Sequence, residues 1–197
     1  LKVTFTNTRL GVLDIKKVVE NTDTTKAFGF TVTLTDKDGK ALTGSVSARR
    51  FTTDDSKYTA ETPTIGEEGK LSVSIAPGET LRLIGLPLGA KWKVTEASGN
   101  YAVKAAVDST EKALDLVSGT VSSTTNPSVV FTNTPQAATL ELNVTKQITG
   151  KTDNNETFTF VLSGKDGAPM PDESTVTING AGNKNFAPIT FTSVGTH

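Results

Sequence analysis

The sequence predicts an all-β protein built of β-sandwiches in tandem. Three observations predict it. Apolar and polar residues alternate at period two along most of the chain, the spacing of half-buried strands. Hydrophobic residues make up only 35% while Thr and Ser abound, which suits sandwiches with threonine-rich outer faces better than helix bundles. The chain also repeats itself: "VTFTNT" at Val3–Thr8 returns as "VVFTNT" at Val129–Thr134.

Each element follows from that alternation. Leu13, Ile15, Lys17 and Val19 share one face of a first strand, with Asp14, Lys16 and Val18 on the other. Phe28, Phe30, Val32 and Leu34 form the inward face of the next, which ends at the hairpin turn "TDKDGK". Leu71, Val73 and Ile75 alternate with serines up to "APGE". Leu81 and Leu83 follow, then "GLPLGA" (Gly85–Ala90), read as a turn and not as a sorting signal. In "KWKVTE" the residues Trp92, Val94 and Glu96 share a face; Tyr101, Val103, Ala105 and Val107 make another strand, and Val129, Phe131 and Asn133 the last. Only Thr110–Val117 offers a helical turn or two. Thr52–Lys70, with its acidic pairs Asp54-Asp55 and Glu67-Glu68, and Asp108–Asn126 read as long solvated loops.

The repeat sets the organisation. Leu13-x-Ile15-x-Lys17 recurs as Leu142-x-Val144-x-Lys146, and Phe28-x-Phe30 as Phe158-x-Phe160, so the period lies near 126 to 130 residues. Residues 1–8 read as the closing strand of a preceding unit, 9–135 as one whole sandwich, and 136–197 as the first half of a further one, truncated before its closing strand.

Composition excludes several classes. A formal charge of −1 with both signs scattered gives no footprint for nucleic acid, and no apolar run or signal peptide indicates membrane contact in this stretch. Without cysteine there is no disulfide scaffold. The single histidine, His197, is the last residue, which leaves no histidine-based triad or metal site; no cofactor or metal is expected.

Three inward positions carry polar groups: Lys17, Glu96 and Asn133. Singly, each fits a strand leaving the core, a snorkelling lysine or a turn-capping asparagine. Together, with the lysine and asparagine strands each present twice, they point to a buried cluster, because an isolated buried charge costs several kcal/mol.

At this point "LDIKK", "FGFTVTLTDKDGK", "ETLRLIGLPLGAKWKVTEASGNY" and "VVFTNTP" resemble the collagen-adhesin B-type (CnaB-type) domains of Gram-positive, sortase-assembled pilins, nearest to the streptococcal pilus backbone subunit. The resemblance covers nearly all of residues 9–135, and "LNVTKQITG…ETFTFVLSGKDGAPMPDE…FAPITFTSVGTH" resembles the opening half of another such domain. It implies immunoglobulin-like sandwiches and a spontaneous intramolecular isopeptide bond. By matching position the amine is Lys17, the carboxamide Asn133 and the assisting acid Glu96, with Phe28, Phe30, Trp92 and Phe131 as the apolar wall. Lys146 and Asn7 become half-sites whose partners lie outside this sequence.

The chemistry expected of such a cluster follows from burial. Desolvation favours a neutral amine facing a protonated carboxyl. The amine attacks the Asn133 side-chain carbonyl, while Glu96 polarises it and shuttles protons until ammonia leaves. The reaction turns over once, so it is maturation and not enzymatic activity. The resemblance implies a structural subunit of a pilus or adhesin stalk: extracellular, cell-wall-anchored, and partnered by other pilin subunits or domains of the same shaft. The alternative is an adhesin module that recognises host glycan or matrix protein through its long loops.

Overall fold

The computed structural model describes residues 9–21, 24–52, 57–97, 99–150 and 155–192. The chain divides into two compact units, residues 1–134 and 135–197. Asn7 and the Asp54-Asp55 pair lie outside the described residues.

In the first unit the strands are β1 (Leu10–Val19), β2 (Phe28–Thr35), β3 (Gly44–Ser45), β4 (Ser47–Phe51), β5 (Tyr58–Glu61), β6 (Thr64–Ile65) and β7 (Lys70–Ile75). After them come β8 (Thr80–Pro87), β9 (Lys91–Ala97), β10 (Tyr101–Val107), β11 (Thr110–Lys112), β12 (Ser118–Thr120) and β13 (Ser128–Pro135). Eleven of them form two facing sheets, one of seven strands in the order β11-β10-β13-β1-β8-β4-β5 and one of four in the order β12-β9-β2-β7, while β3 and β6 pair as a separate two-stranded ribbon. Strict alternation explains the layering. Leu13, Ile15, Leu81, Leu83 and Val129 of the larger sheet meet Val32, Leu34, Leu71 and Val94 of the smaller, all of them buried. Polar neighbours on each strand are left on the outer faces.

The first and last strands of this unit are adjacent and parallel. Ile15 is in register with Val129, Lys17 with Phe131, and Val19 with Asn133. On its other edge β1 runs antiparallel to β8, where Gly11 pairs Leu86 and Val12 pairs Ile84. Gly85 is left over as a bulge, and its φ of 84° is the left-handed conformation that glycine adopts freely.

Several expectations change here. Gly85–Ala90 is not all turn: β8 runs through to Pro87, Leu86 is buried, and the bulge absorbs the residue that broke the alternation. The segment Thr52–Lys70 holds β5, β6 and the start of β7, while Asp108–Asn126 holds β11 and β12. Of these, β5, β11 and β12 are short strands at sheet edges that need no apolar parity and show none, whereas β6 buries Ile65 and β7 carries the expected Leu71 and Ile75 inward. Thr110–Val117 contributes β11 and a single 3₁₀ turn, Leu114–Leu116, with no buried residue.

In the second unit β14 (Ala138–Leu140) pairs β19 (Ile189–Phe191), β15 (Asn143–Lys146) pairs β18 (Gly182–Asn185), and β16 (Thr157–Val161) pairs β17 (Thr175–Asn179), all antiparallel. Val176, Ile178, Phe186 and Ile189 are its buried hydrophobic residues among those described.

Candidate functional site

Among the described residues, Lys17 and Asn133 are the two polar residues that belong wholly to the interior, each 0% exposed. Parity on β1 turns the Lys17 side chain inward. Its backbone is pinned by the Ala76–Glu79 turn: Lys17 N–H donates to the Glu79 carbonyl at 3.0 Å, and Gly78 N–H donates to the Lys17 carbonyl at 2.9 Å. Asn133 lies on β13, two residues beyond Phe131, the register partner of Lys17. In a parallel pair those positions share a face, so amine and carboxamide converge across neighbouring strands. Glu96 comes from the opposite sheet, on β9 beside Phe30 of β2.

One carboxylate oxygen joins all three. Lys17 Nζ lies 3.2 Å from Glu96 Oε1, with both side chains at most 1% exposed. Asn133 Nδ2 donates to the same Oε1 at 2.7 Å, and Lys17 Nζ also donates to the Phe131 carbonyl at 3.4 Å. Phe28 places its ring 4.5 Å from Nζ. Phe30 and Phe131 meet edge to face at 5.3 Å and close the wall. Tyr101, which sequence reasoning placed only in a strand, packs edge-on against Phe28 at 5.2 Å; its alternation with Val103 was the available signal.

Burial lowers the Lys17 pKa below its ordinary 10.5, and the neighbouring Glu96 opposes that shift in part. A lowered pKa raises the fraction of amine with a free lone pair, the form that can attack a carbonyl. Two oxygens of the cluster, Glu96 Oε2 and Asn133 Oδ1, are buried with no hydrogen-bond partner. Sequence reasoning expected Glu96 to meet the Asn133 carbonyl, whereas here the carboxamide presents its nitrogen. A half-turn about the Asn133 Cβ–Cγ bond exchanges the two atoms within the same outline.

Trp92 is buried but is not part of this wall. It sits opposite Leu34, four residues before Glu96 and so roughly 13 Å away along β9. There it faces Gly119, its partner on β12. Parity gave its face correctly and said nothing of its height in the sandwich. In the second unit Lys146 is half-buried on β15, and its Nζ lies 4.3 Å from the Phe158 ring, the counterpart of the Lys17–Phe28 contact.

The fold and the comparisons with known proteins agree on a class of structure: β-sandwich domains similar to those of streptococcal pilins and pilus adhesins. The chain belongs to the family described as Domain of unknown function (DUF7601), which matches residues 11–135. Residues 142–197 match the Spy0128-like isopeptide containing domain (FctA). Among solved structures, a cysteine-substituted form of the pilus-presented adhesin Spy0125 (Cpa) is 28% identical with a TM-score of 0.50, covering 64% of this chain and 27% of that one. A mutant of the major pilin from Streptococcus pyogenes is 23% identical with a TM-score of 0.51, covering 63% of this chain and 47% of that one; at that identity the likeness is one of fold. The chain thus spans about a quarter of the adhesin and under half of the pilin. No curated protein matches the sequence.

Proposed function

We propose that this chain is a structural segment of a Gram-positive pilus or adhesin stalk, on the cell surface and anchored to the wall, whose first sandwich is locked by an isopeptide bond between Lys17 and Asn133. Glu96 serves as the acid and base of that single-turnover reaction, and other pilin subunits are the partners of the assembled shaft. The observation that carries the reading is the shared Glu96 oxygen: an amine at 3.2 Å and a carboxamide nitrogen at 2.7 Å, closed off from water between the first and last strands.

The reaction balances without any co-reactant. The Lys17 Nζ–Asn133 Cγ bond forms and the Cγ–Nδ2 bond breaks. Glu96 takes a proton from the attacking amine and returns it to the departing nitrogen, which leaves as ammonia. A carboxamide is a poor electrophile, and the fold supplies the help: holding both groups in contact contributes roughly 7–11 kcal/mol in favourable cases. The bond ties two adjacent parallel strands, so tension entering at β1 leaves through β13 by covalent bonds alone. A cysteine-free chain gains a mechanical clamp in this way.

Intact mass tests the reading directly. The protein should weigh about 17 Da less than its sequence, the mass of the expelled ammonia, and Lys17→Ala should abolish that deficit. A parent protein at full sequence mass sinks the assignment.

A further inference from the structure

A reaction performed inside a closed sandwich must release its product, and the walls around the cluster are not equal. β9 is paired with β2 from Lys91 to Ala97 on one edge, but with β12 only over Lys91–Lys93 on the other, where Ser118 lies opposite Lys93. Val94 N–H still donates to the Val117 carbonyl at 2.9 Å. Past Val94, the β9 edge that carries Thr95 and Glu96 lies beside the 3₁₀ turn Leu114–Leu116. That turn has no side-chain cap and no buried residue, and Leu114 and Leu116 are 45% and 60% exposed. Under it lies a cleft of about 330 Å³, whose lining includes Glu96, Phe131, Val103, Thr95 and Leu114. The side chain of Glu96 is 1% exposed, and its Oε2 is one of the buried oxygens without a partner.

We propose that this cleft is the chamber through which the buried cluster exchanges small hydrogen-bonding molecules with solvent: water held by the unpaired Glu96 oxygen, and the ammonia expelled from Asn133. The inference rests on the isopeptide reading above and extends it to the path and its cover. The cleft has room for several waters at roughly 30 Å³ each, and a carboxyl oxygen gives them a polar partner that a purely apolar void would lack. Leu114 stands at the mouth as a positioning residue: it limits access without touching Lys17, Glu96 or Asn133 in the reaction. Because the turn is held by few buried contacts, opening it requires little of the core to move.

The test follows bond formation in time. Parent, Leu114→Trp and Leu116→Trp are made by cell-free synthesis and quenched in acid at intervals. The temperature is chosen so that the parent reacts over minutes, and the fraction of molecules lacking one ammonia is read by intact mass. Leu114→Trp fills the mouth and should lengthen the half-time about fivefold or more, with the same final deficit of one ammonia relative to its own sequence mass. Leu116→Trp, on the same turn but outside the cleft lining, should react at the parent rate. If the tryptophan at 114 prevents folding, Leu114→Phe gives a milder version of the same slowing. Equal rates for parent and Leu114 variants overturn the inference, as does equal slowing by Leu116→Trp. A parent that never loses mass overturns the isopeptide reading itself, an outcome distinct from either of these.

Discussion

Replacing Glu96 by glutamine separates the bond from the packing around it. The substitution keeps the shape of the side chain, its contact with Asn133 and the aromatic wall, and removes the group that accepts and returns the proton. The variant should fold and remain at full sequence mass. What it loses is the closure of a loop running from residue 17 to residue 133. In the chain-entropy model a loop of that length is worth about 5 kcal/mol, because the linked unfolded chain has fewer states to gain. For a domain of this size each kcal/mol moves the melting temperature by roughly 3–5 °C, so Tm should fall by roughly 15–25 °C. Lys17 stays buried in the variant and lacks its carboxylate, which adds to the loss. The assay is thermal unfolding by circular dichroism beside intact mass on the same samples. A Glu96→Gln protein that still loses ammonia would falsify the role of Glu96. One that keeps full mass but melts within a few degrees of the parent would refute the argument that the link sets stability.

Further expectations concern force, pH and packing. Pulled between its ends, the parent should hide the contour of residues 17 to 133, roughly 400 Å, which Glu96→Gln should release as an unfolding step in single-molecule force spectroscopy; a parent that lengthens by the same step refutes the clamp. In an Asn133→Ala variant, which cannot be linked, Lys17 binds fewer protons folded than unfolded between its lowered pKa and 10.5. Stability should therefore rise with pH through that window and level off above it. Denaturant midpoints should show the slope in Asn133→Ala and lose it when Lys17→Met is added. At Gly119 a Cβ would lie 2.5 Å from Trp92 Cζ2. Gly119→Ala should therefore cost about 1–3 kcal/mol by forcing a buried indole aside, measured by urea unfolding, while Gly29→Ala, with its nearest contact at 3.9 Å, should be nearly neutral.

The strands that make the site were legible because they are buried on one face. Leu13, Ile15 and Lys17, or Val129, Phe131 and Asn133, keep a parity that a one-residue slip would invert, so the sequence commits each side chain to the interior. The same parity carried Glu96 inward behind Trp92 and Val94. Parity is a statement about faces, however, and the site is a statement about heights. Whether Trp92 or Phe28 sits beside the amine depends on the stagger of β9 and β2 against β1, which no single strand encodes. The edge strands were illegible for the opposite reason. The edge strand β5 carries no apolar parity, and its partner β4, between β5 and β8, sets Arg49 and Arg50 side by side; Arg49 lies over Tyr58 at 4.5 Å, and Arg50 bonds Glu61 at 2.6 Å and Glu79 at 2.8 Å.

That last pair ties the periphery back to the centre. Glu79 accepts from Arg50 and from the Ala76 N–H at 2.9 Å, which fixes the turn whose backbone brackets Lys17 on both its N–H and its carbonyl. The lysine is thus gripped by β13 on one edge and by a braced turn on the other, while its amine projects into an apolar wall. Reaction between a buried amine and a carboxamide demands that neither can retreat to water. Here the restraint comes from the sheet itself: Lys17 could leave only if β1 parted from both neighbours, and parting them means unfolding the sandwich. The geometry that would make the bond form is therefore the geometry that the bond would afterwards preserve.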